Sequence, residues 1–189
     1  MLQLDFNPFP LLTTARLTLR AVRAADLEEV YFLRSDPRVM QYLDRPVTAD
    51  RAEAKEYLTK AVNQIAENQG ITWAITEKGK DKMIGYIGYW RIDFANYRAE
   101  VGYALHPDFW RKGLITEALT AALDYAFEQT DIHSVLANVN PVHVGSIAVL
   151  KKQGFRQEAH FREDYYFNGK FIDSAIFCLL KTDRRLGAG

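Results

Sequence analysis

The run from Glu100 to Tyr125 holds the residues best suited to chemistry. A carboxylate, Glu100, heads an extended stretch, a basic glycine turn, Trp110-Arg111-Lys112-Gly113, follows it, and a long apolar-striped segment begins at Leu114. Glu100 to Leu105 alternates as a strand, His106-Pro107 ends it, and apolar residues recur at helical spacing beyond the turn. A helix start leaves backbone N–H groups without partners and carries the positive end of the helix dipole, so a glycine turn feeding it lets a phosphate approach bare amides. The pattern predicts a phosphate cradle over Arg111, Lys112, Gly113, Leu114, Ile115 and Thr116, with two cations beside it.

Several elements must position that cradle. Arg16 to Arg20 alternates as a first strand, and Ala24 to Ser35 is helical until Pro37 breaks it. Asp50 with Glu53 suggests a capping box for a helix through about Asn68, ended by Gly70. Ile71 to Thr76, Lys82 to Ile92 and Tyr97 to Leu105 are predicted as an antiparallel meander. The helix from Leu114 puts Ile115, Ala118, Leu119, Ala122, Leu123, Ala126 and Phe127 on one face, toward the sheet. Ser134 to Val139 is a further strand, Ser146 to Gln153 a short helix closed by Gly154, and Phe171 to Leu180 a last strand. A right-handed crossover from Glu100 to Val139 makes its two strands parallel. The expected fold is therefore α/β, with a mixed, mostly antiparallel central sheet and helices on both faces. Its ligand crevice lies at the carboxyl end of the strand before the turn.

With 189 residues, 48% of them hydrophobic, the chain suffices for one well-buried domain. Its 24 basic and 24 acidic residues cancel, which leaves no whole-chain footprint for nucleic acid. Cys178 is the single cysteine, so an internal disulfide and a multi-thiolate zinc site are excluded. No signal-peptide pattern or bilayer-length apolar run stands out, and a soluble, cytoplasmic protein without a membrane partner is expected. Gly79-Lys80 and Gly169-Lys170 lack the rest of a P-loop, the four histidines show no short helical pairing, and no metal is expected.

The stretch Ala99 to Ala118, followed by Ser146-Ile-Ala-Val-Leu-Lys-Lys-Gln-Gly-Phe155, resembles the GCN5-related N-acetyltransferases, in particular the ribosomal-protein branch of the RimJ and RimL type. Thr14 to Arg20 and Gly169 to Asp173 are similar to that branch too, so one acetyltransferase domain over 13–181 is expected. The resemblance implies acetyl-CoA as cosubstrate and a primary amine as acceptor, foremost a protein N-terminal α-amine. A small-molecule amine is the alternative within the enzyme class, and a coenzyme A-binding sensor without turnover is the alternative outside it. It implies a monomer or homodimer, with the pyrophosphate on the turn, Trp110 included, and the pantetheine arm along Tyr103, Ala104 and Leu105. Asn138, His143 and Ser146 complete the implied cofactor contacts. The helices from Ala24 to Asn68 and a loop over Arg162 to Lys170 would frame the acceptor entrance.

The branch usually carries Asn where His143 stands, and Gly or Ala where Ile115 stands. An imidazole can donate to a pantetheine carbonyl as an amide does, with a charge that depends on pH. The transfer needs an uncharged amine and a proton for the departing thiolate. Glu100 is the candidate base, or else an edge-strand carboxylate in water or paired to Arg98. Ser146 is the candidate acid, or else the N-cap of its helix, with Tyr165 or Tyr166 as fallback acid.

Overall fold

The computed structural model describes residues 1–186. The strands are β1 (Leu12–Thr13), β2 (Leu17–Ala21), β3 (Ile71–Glu77), β4 (Met83–Asp93), β5 (Arg98–Leu105), β6 (Ser134–Val139), β7 (Arg156–Phe167) and β8 (Lys170–Leu180). The helices are α1 (Leu27–Ser35), α2 (Pro37–Met40), α3 (Arg51–Ala66), α4 (Leu114–Gln129), α5 (Val144–Lys152) and α6 (Lys181–Leu186). The strands form one sheet in the order β1-β2-β3-β4-β5-β6-β8-β7, in which only β5 and β6 run parallel. The mixed sheet expected from the sequence is present.

Helices cover both faces. Leu114, Ala118, Leu119, Ala122, Leu123, Ala126 and Phe127 of α4 are buried with Leu17, Trp73, Ile87, Val101 and Phe177 of the sheet. Ile115, expected on that stripe, is only partly buried, because the stripe begins one residue earlier at Leu114. On the other face Val30 and Leu33 of α1 and Ala54, Leu58 and Ala61 of α3 pack on Ala74, Met83, Tyr86 and Ala104.

Local chemistry moves several expected boundaries. Pro37 does not merely end a helix: Asp36 caps a new turn by accepting from Arg38 N, and Pro37, with no N–H to leave unpaired, sits at its first position. Ala24–Asp26 is a 3-10 turn held by the Arg20–Asp26 ion pair, so α1 begins at Leu27. Asp50 caps α3 as expected, accepting from Ala52 N and Glu53 N, while Glu53 reaches back to Ala49 N. Asn68, not Gly70, takes the left-handed conformation after α3, with φ of 55°. The loop expected over Arg162 to Lys170 is instead most of a hairpin: β7 runs on to Phe167 and turns through Asn168-Gly169. As an edge strand exposed along nearly its whole length, β7 has no buried face to impose alternation, and its register on β8 shifts twice.

The parallel pair is short. Arg98, Ala99 and Glu100 pair with Ser134, Val135 and Leu136, and there the ladder stops. Beyond it β6 stays with β8 as far as Val139 and β5 stays with β4 as far as Leu105. The two strands therefore part after Glu100, and Val101 to Leu105 has no strand on its β6 side.

One contact fixes the sheet at this fork. Trp90 lies opposite Glu100 on β4, and its indole covers Gly102 so closely that a Cβ there would fall inside ring carbons Cη2 and Cζ2. Gly102→Ala is expected to destabilise the fold by about 1–3 kcal/mol through overpacking. Urea unfolding measures this, and an unchanged midpoint would mean that the indole swings away without cost.

Candidate active site

The turn before α4 is built by two left-handed residues, Arg111 with φ of 58° and Gly113 with φ of 73°. Trp110 anchors it by donating Nε1–H to Leu105 O at 2.6 Å. Gly113 occupies the N-cap position, where it has no side chain to cap with. Among the described residues, no backbone N–H from Arg111 to Thr116 donates to another group. These are the orphan donors of a helix start, gathered on an exposed turn with Arg111 and Lys112 beside them. A Cβ on Gly113 would meet only Arg16 Nη2, at 3.6 Å, so the demand for glycine is set by φ rather than by space.

Arg16 and Glu117 hold this turn from the side. Glu117 accepts from Thr14 Oγ1 at 2.6 Å, Arg16 N at 2.8 Å and Arg16 Nε at 2.7 Å, while Arg16 Nη1 donates to Lys112 O at 2.9 Å. Burial alone would raise the Glu117 carboxyl, but these donors outweigh it and hold its pKa below the usual glutamate value. From local pattern alone Glu117 is a residue that favours a helix first turn. The ion pair that clamps the turn links residues about a hundred positions apart, which no local pattern encodes.

Side chains alternate across β5, so the expected site residues divide between its faces. Tyr103 points toward α5, where its hydroxyl is 2.9 Å from Ser146 Oγ. Burial pushes the Tyr103 phenol up to about 12, against the opposing effect of the Ser146 hydrogen bond, so it keeps its proton at neutral pH. Ser146 is not the N-cap of its helix. His143 caps α5, its Nδ1 accepting from Ser146 N at 3.4 Å, and this leaves the buried Ser146 hydroxyl for Tyr103. The His143 ring stacks on Tyr42 at 4.4 Å, and burial lowers its pKa, which suits an unprotonated Nδ1 acceptor.

Glu100 and Ala104 face α1 and α3 instead. Ala104 is buried there, while Glu100 lines a cavity of about 640 Å³ together with Arg34, Tyr57, Trp90, Asn138 and Tyr165. The alternative pairing of Glu100 with Arg98 does not form, because Arg98 Nε donates to Ser134 Oγ. Glu100 accepts instead from Trp90 Nε1 at 3.4 Å and Arg91 Nη1 at 3.3 Å. Of the two fallback tyrosines, Tyr165 lines the cavity, whereas Tyr166 lies against Phe171 on the hairpin surface. A second hollow, about 740 Å³, runs along the outer side of α3 and touches none of these groups. Its size gives it no claim on the chemistry. Glu100 and Ser146 thus approach the fork between β5 and β6 from opposite faces.

The acetyltransferase (GNAT) domain family matches residues 16–156. An uncharacterized N-acetyltransferase of Bacillus licheniformis, p20, is 33% identical over 172 residues, spanning 91% of this chain and 97% of its own. Spermidine N(1)-acetyltransferase of Vibrio cholerae is 24% identical, with 89% of this chain and 95% of the relative covered. RimL, a ribosomal L7/L12 alpha-N-protein acetyltransferase solved in complex with coenzyme A, shares the fold with a TM-score of 0.82 at 20% identity, over 90% of this chain and 98% of its own.

The lowered His143 pKa has a signed consequence. Between that lowered value and the ordinary histidine value near 6.5 the unfolded chain binds more protons than the folded one, so stability rises with pH through this window and is level above it. His143→Asn keeps a side-chain acceptor for Ser146 N and does not titrate. Unfolding midpoints measured from about pH 5 to pH 7.5 should therefore rise more steeply for the parent protein than for the variant, and parallel curves would count against a buried neutral imidazole.

Proposed function

The chain belongs to the acetyltransferase (GNAT) family, and from that premise we propose that it moves an acetyl group directly from acetyl-CoA to a primary α-amine, foremost a protein N-terminus, using a single domain over 13–181. The observation that carries this reading is the fork: β5 loses its parallel partner just past Glu100 and, at its other end, runs into the glycine turn with its unpaired amides. The cosubstrate pyrophosphate sits on the amides from Arg111 to Thr116. Its pantetheine arm lies as a short added strand along Tyr103, Ala104 and Leu105, where the backbone has no strand partner on that side. Asn138 and His143 border it. Because Nδ1 of His143 is spent on the cap, the pantetheine carbonyl receives its hydrogen bond from Nε2–H.

The acetyl carbon then lies in the fork between the two faces. The amine nitrogen gives its proton to Glu100, directly or through one water, and bonds to the carbonyl carbon; the C–S bond breaks, and sulfur takes the Ser146 Oγ–H proton as Ser146 takes that of the Tyr103 hydroxyl, which water re-protonates once the products leave while Glu100 returns its own proton to water. Tyr103, protonated and within hydrogen-bond distance of Ser146, orients that hydroxyl. Freeing a lysine amine at pH 7 costs about 4.6 kcal/mol, against about 1 kcal/mol for an α-amine near 7.8. A single carboxylate base is matched to the second task.

A polyamine or another small amine is the competing acceptor, since relatives include spermidine acetyltransferases. Against a polyamine, the cavity is lined by Arg34, Arg45, Lys60 and Arg91 as well as by Asp44, Glu100, Asp164 and Asp173, so it offers a polycation no net negative charge. Release of free thiol from acetyl-CoA in the presence of N-terminal peptides, amino acids and polyamines discriminates among these acceptors.

Gly113→Val puts a β-branched residue at positive φ, at a cost of about 1–2 kcal/mol, and disorders the amides. Coenzyme A affinity by calorimetry should fall, and an unaltered affinity would move the pyrophosphate elsewhere. Glu100→Gln keeps shape and removes basicity, so turnover should drop by about a hundredfold at neutral pH with acetyl-CoA affinity retained. The deficit should shrink as pH approaches the amine pKa. Full turnover at neutral pH would make the carboxylate structural.

A further inference from the structure

One charged group in the acceptor cavity is not accounted for by transfer chemistry. Arg34, in the last turn of α1, stacks its guanidinium over the Tyr57 ring at 4.0 Å and donates Nε–H to Thr48 Oγ1 at 3.2 Å. Its Nη1 is buried and has no hydrogen-bond partner. No carboxylate among the described residues lies within ion-pair distance of it, while Glu100 on the same cavity has Arg91. Arg45 and Lys60 line the same cavity and form no ion pair among the described residues either. Arg34 of α1, Lys60 of α3 and Arg45 of the loop before α3 therefore present positive charge to the cavity, where the carboxylates Asp44, Glu100, Asp164 and Asp173 each already have a hydrogen-bond partner.

Nη1 is shut away from the cavity, whereas Nη2 is not buried and makes no hydrogen bond among the described residues, so Nη2 is the donor a ligand would meet, and a carboxylate is a group whose geometry matches the guanidinium fork. Stacking on Tyr57 removes most of the side chain's freedom, so the fork is already oriented. We propose that Arg34 reads a carboxylate on the acceptor, so that the preferred substrate is an amine bearing an anionic group close to it. The proposal rests on the acetyl-transfer reading above and specifies its substrate class. Tyr57, beneath Arg34, neighbours Tyr86, which pairs with Ala104, whereas Trp90 pairs with Glu100. Those pairs are four strand positions apart, about 13 Å of backbone, and Arg34 and Glu100 line one cavity over that stretch. That span fits a side-chain carboxylate on the first or second residue of a peptide better than the α-carboxylate of a free amino acid.

The test compares acceptors matched except for charge. Peptides with Asp or Glu at the first or second position are set against their Asn or Gln counterparts, and free glutamate is set against its α-amide, with spermidine as a cationic control. Both kcat/KM for thiol release and direct binding by calorimetry are read. The wild-type protein should favour the acidic member by about tenfold or more, mainly through KM. The pair that shows the preference identifies the side-chain or the α-carboxylate source. In Arg34→Gln the ratio should fall toward one, and Arg34→Lys should retain part of it, with thermal unfolding used to verify that both variants are folded. Equal use of acidic and neutral peptides by the wild type overturns the role of Arg34 and leaves N-terminal transfer standing. A preference that survives Arg34→Gln overturns it too. Spermidine outcompeting both peptides overturns the carboxylate and the α-amine readings together, whereas acidic peptides that bind preferentially without being acetylated support Arg34 and remove the peptide-transfer reading.

Discussion

Two parallel strands that share only three residue pairs leave a length of backbone without a partner, and the arrangement around the candidate site is organised by where that length falls. Strand β5 keeps its antiparallel ladder with β4 from Arg98 to Leu105, so its geometry holds although one side is bare. Strand β6 is kept away by its own full ladder with β8. The fork thus needs no flexible segment: it is held open by two satisfied pairings that diverge. On the proposed reading, a cosubstrate chain inserted between them would require little reorganisation, because the hydrogen-bonding groups stand in a strand already formed.

The same alternation that makes a strand separates the two halves of the proposed reaction. Odd-numbered residues of β5 pack with α4 and α5, and even-numbered ones face α1 and α3. An acid on one side and a base on the other need not meet each other, which spares Glu100 and Ser146 a mutual hydrogen bond that would compete with the reacting atoms. Around them, anchoring is long-range. The clamp of Glu117 on Thr14 and Arg16 joins the start of the sheet to the start of α4, and the capping of α5 by His143 frees the Ser146 hydroxyl for Tyr103.

What was legible in the sequence tracks what is local or periodic. The turn and helix from Trp110 onward, the meander from Ile71 to Leu105 and the parallel crossover were readable because burial on one or both faces stamps a period on the chain. Strand β7 was not, since nearly all of its residues are exposed and nothing selects alternation there. The cap at His143 was hidden by the presence of Ser146 three residues on, which has the side chain most often found at that position. Of the candidate site, the amide cradle and Glu100 could be named from pattern and resemblance. Arg34, Trp90 and Arg16 could not, because their importance lies in partners, or in the lack of one, that only the tertiary fold supplies.

The contact between Trp90 and Gly102 also constrains how this sheet can change over generations. Since the indole occupies the volume of a Cβ at position 102, the two sites do not vary independently. A lineage that keeps the tryptophan meets a cost for any side chain across from it at 102, which falls if position 90 first becomes smaller or the indole moves. Geometry therefore favours one order of substitution. Because the same indole donates to Glu100, a route through a smaller residue at 90 passes through an intermediate that has given up a neighbour of the carboxylate.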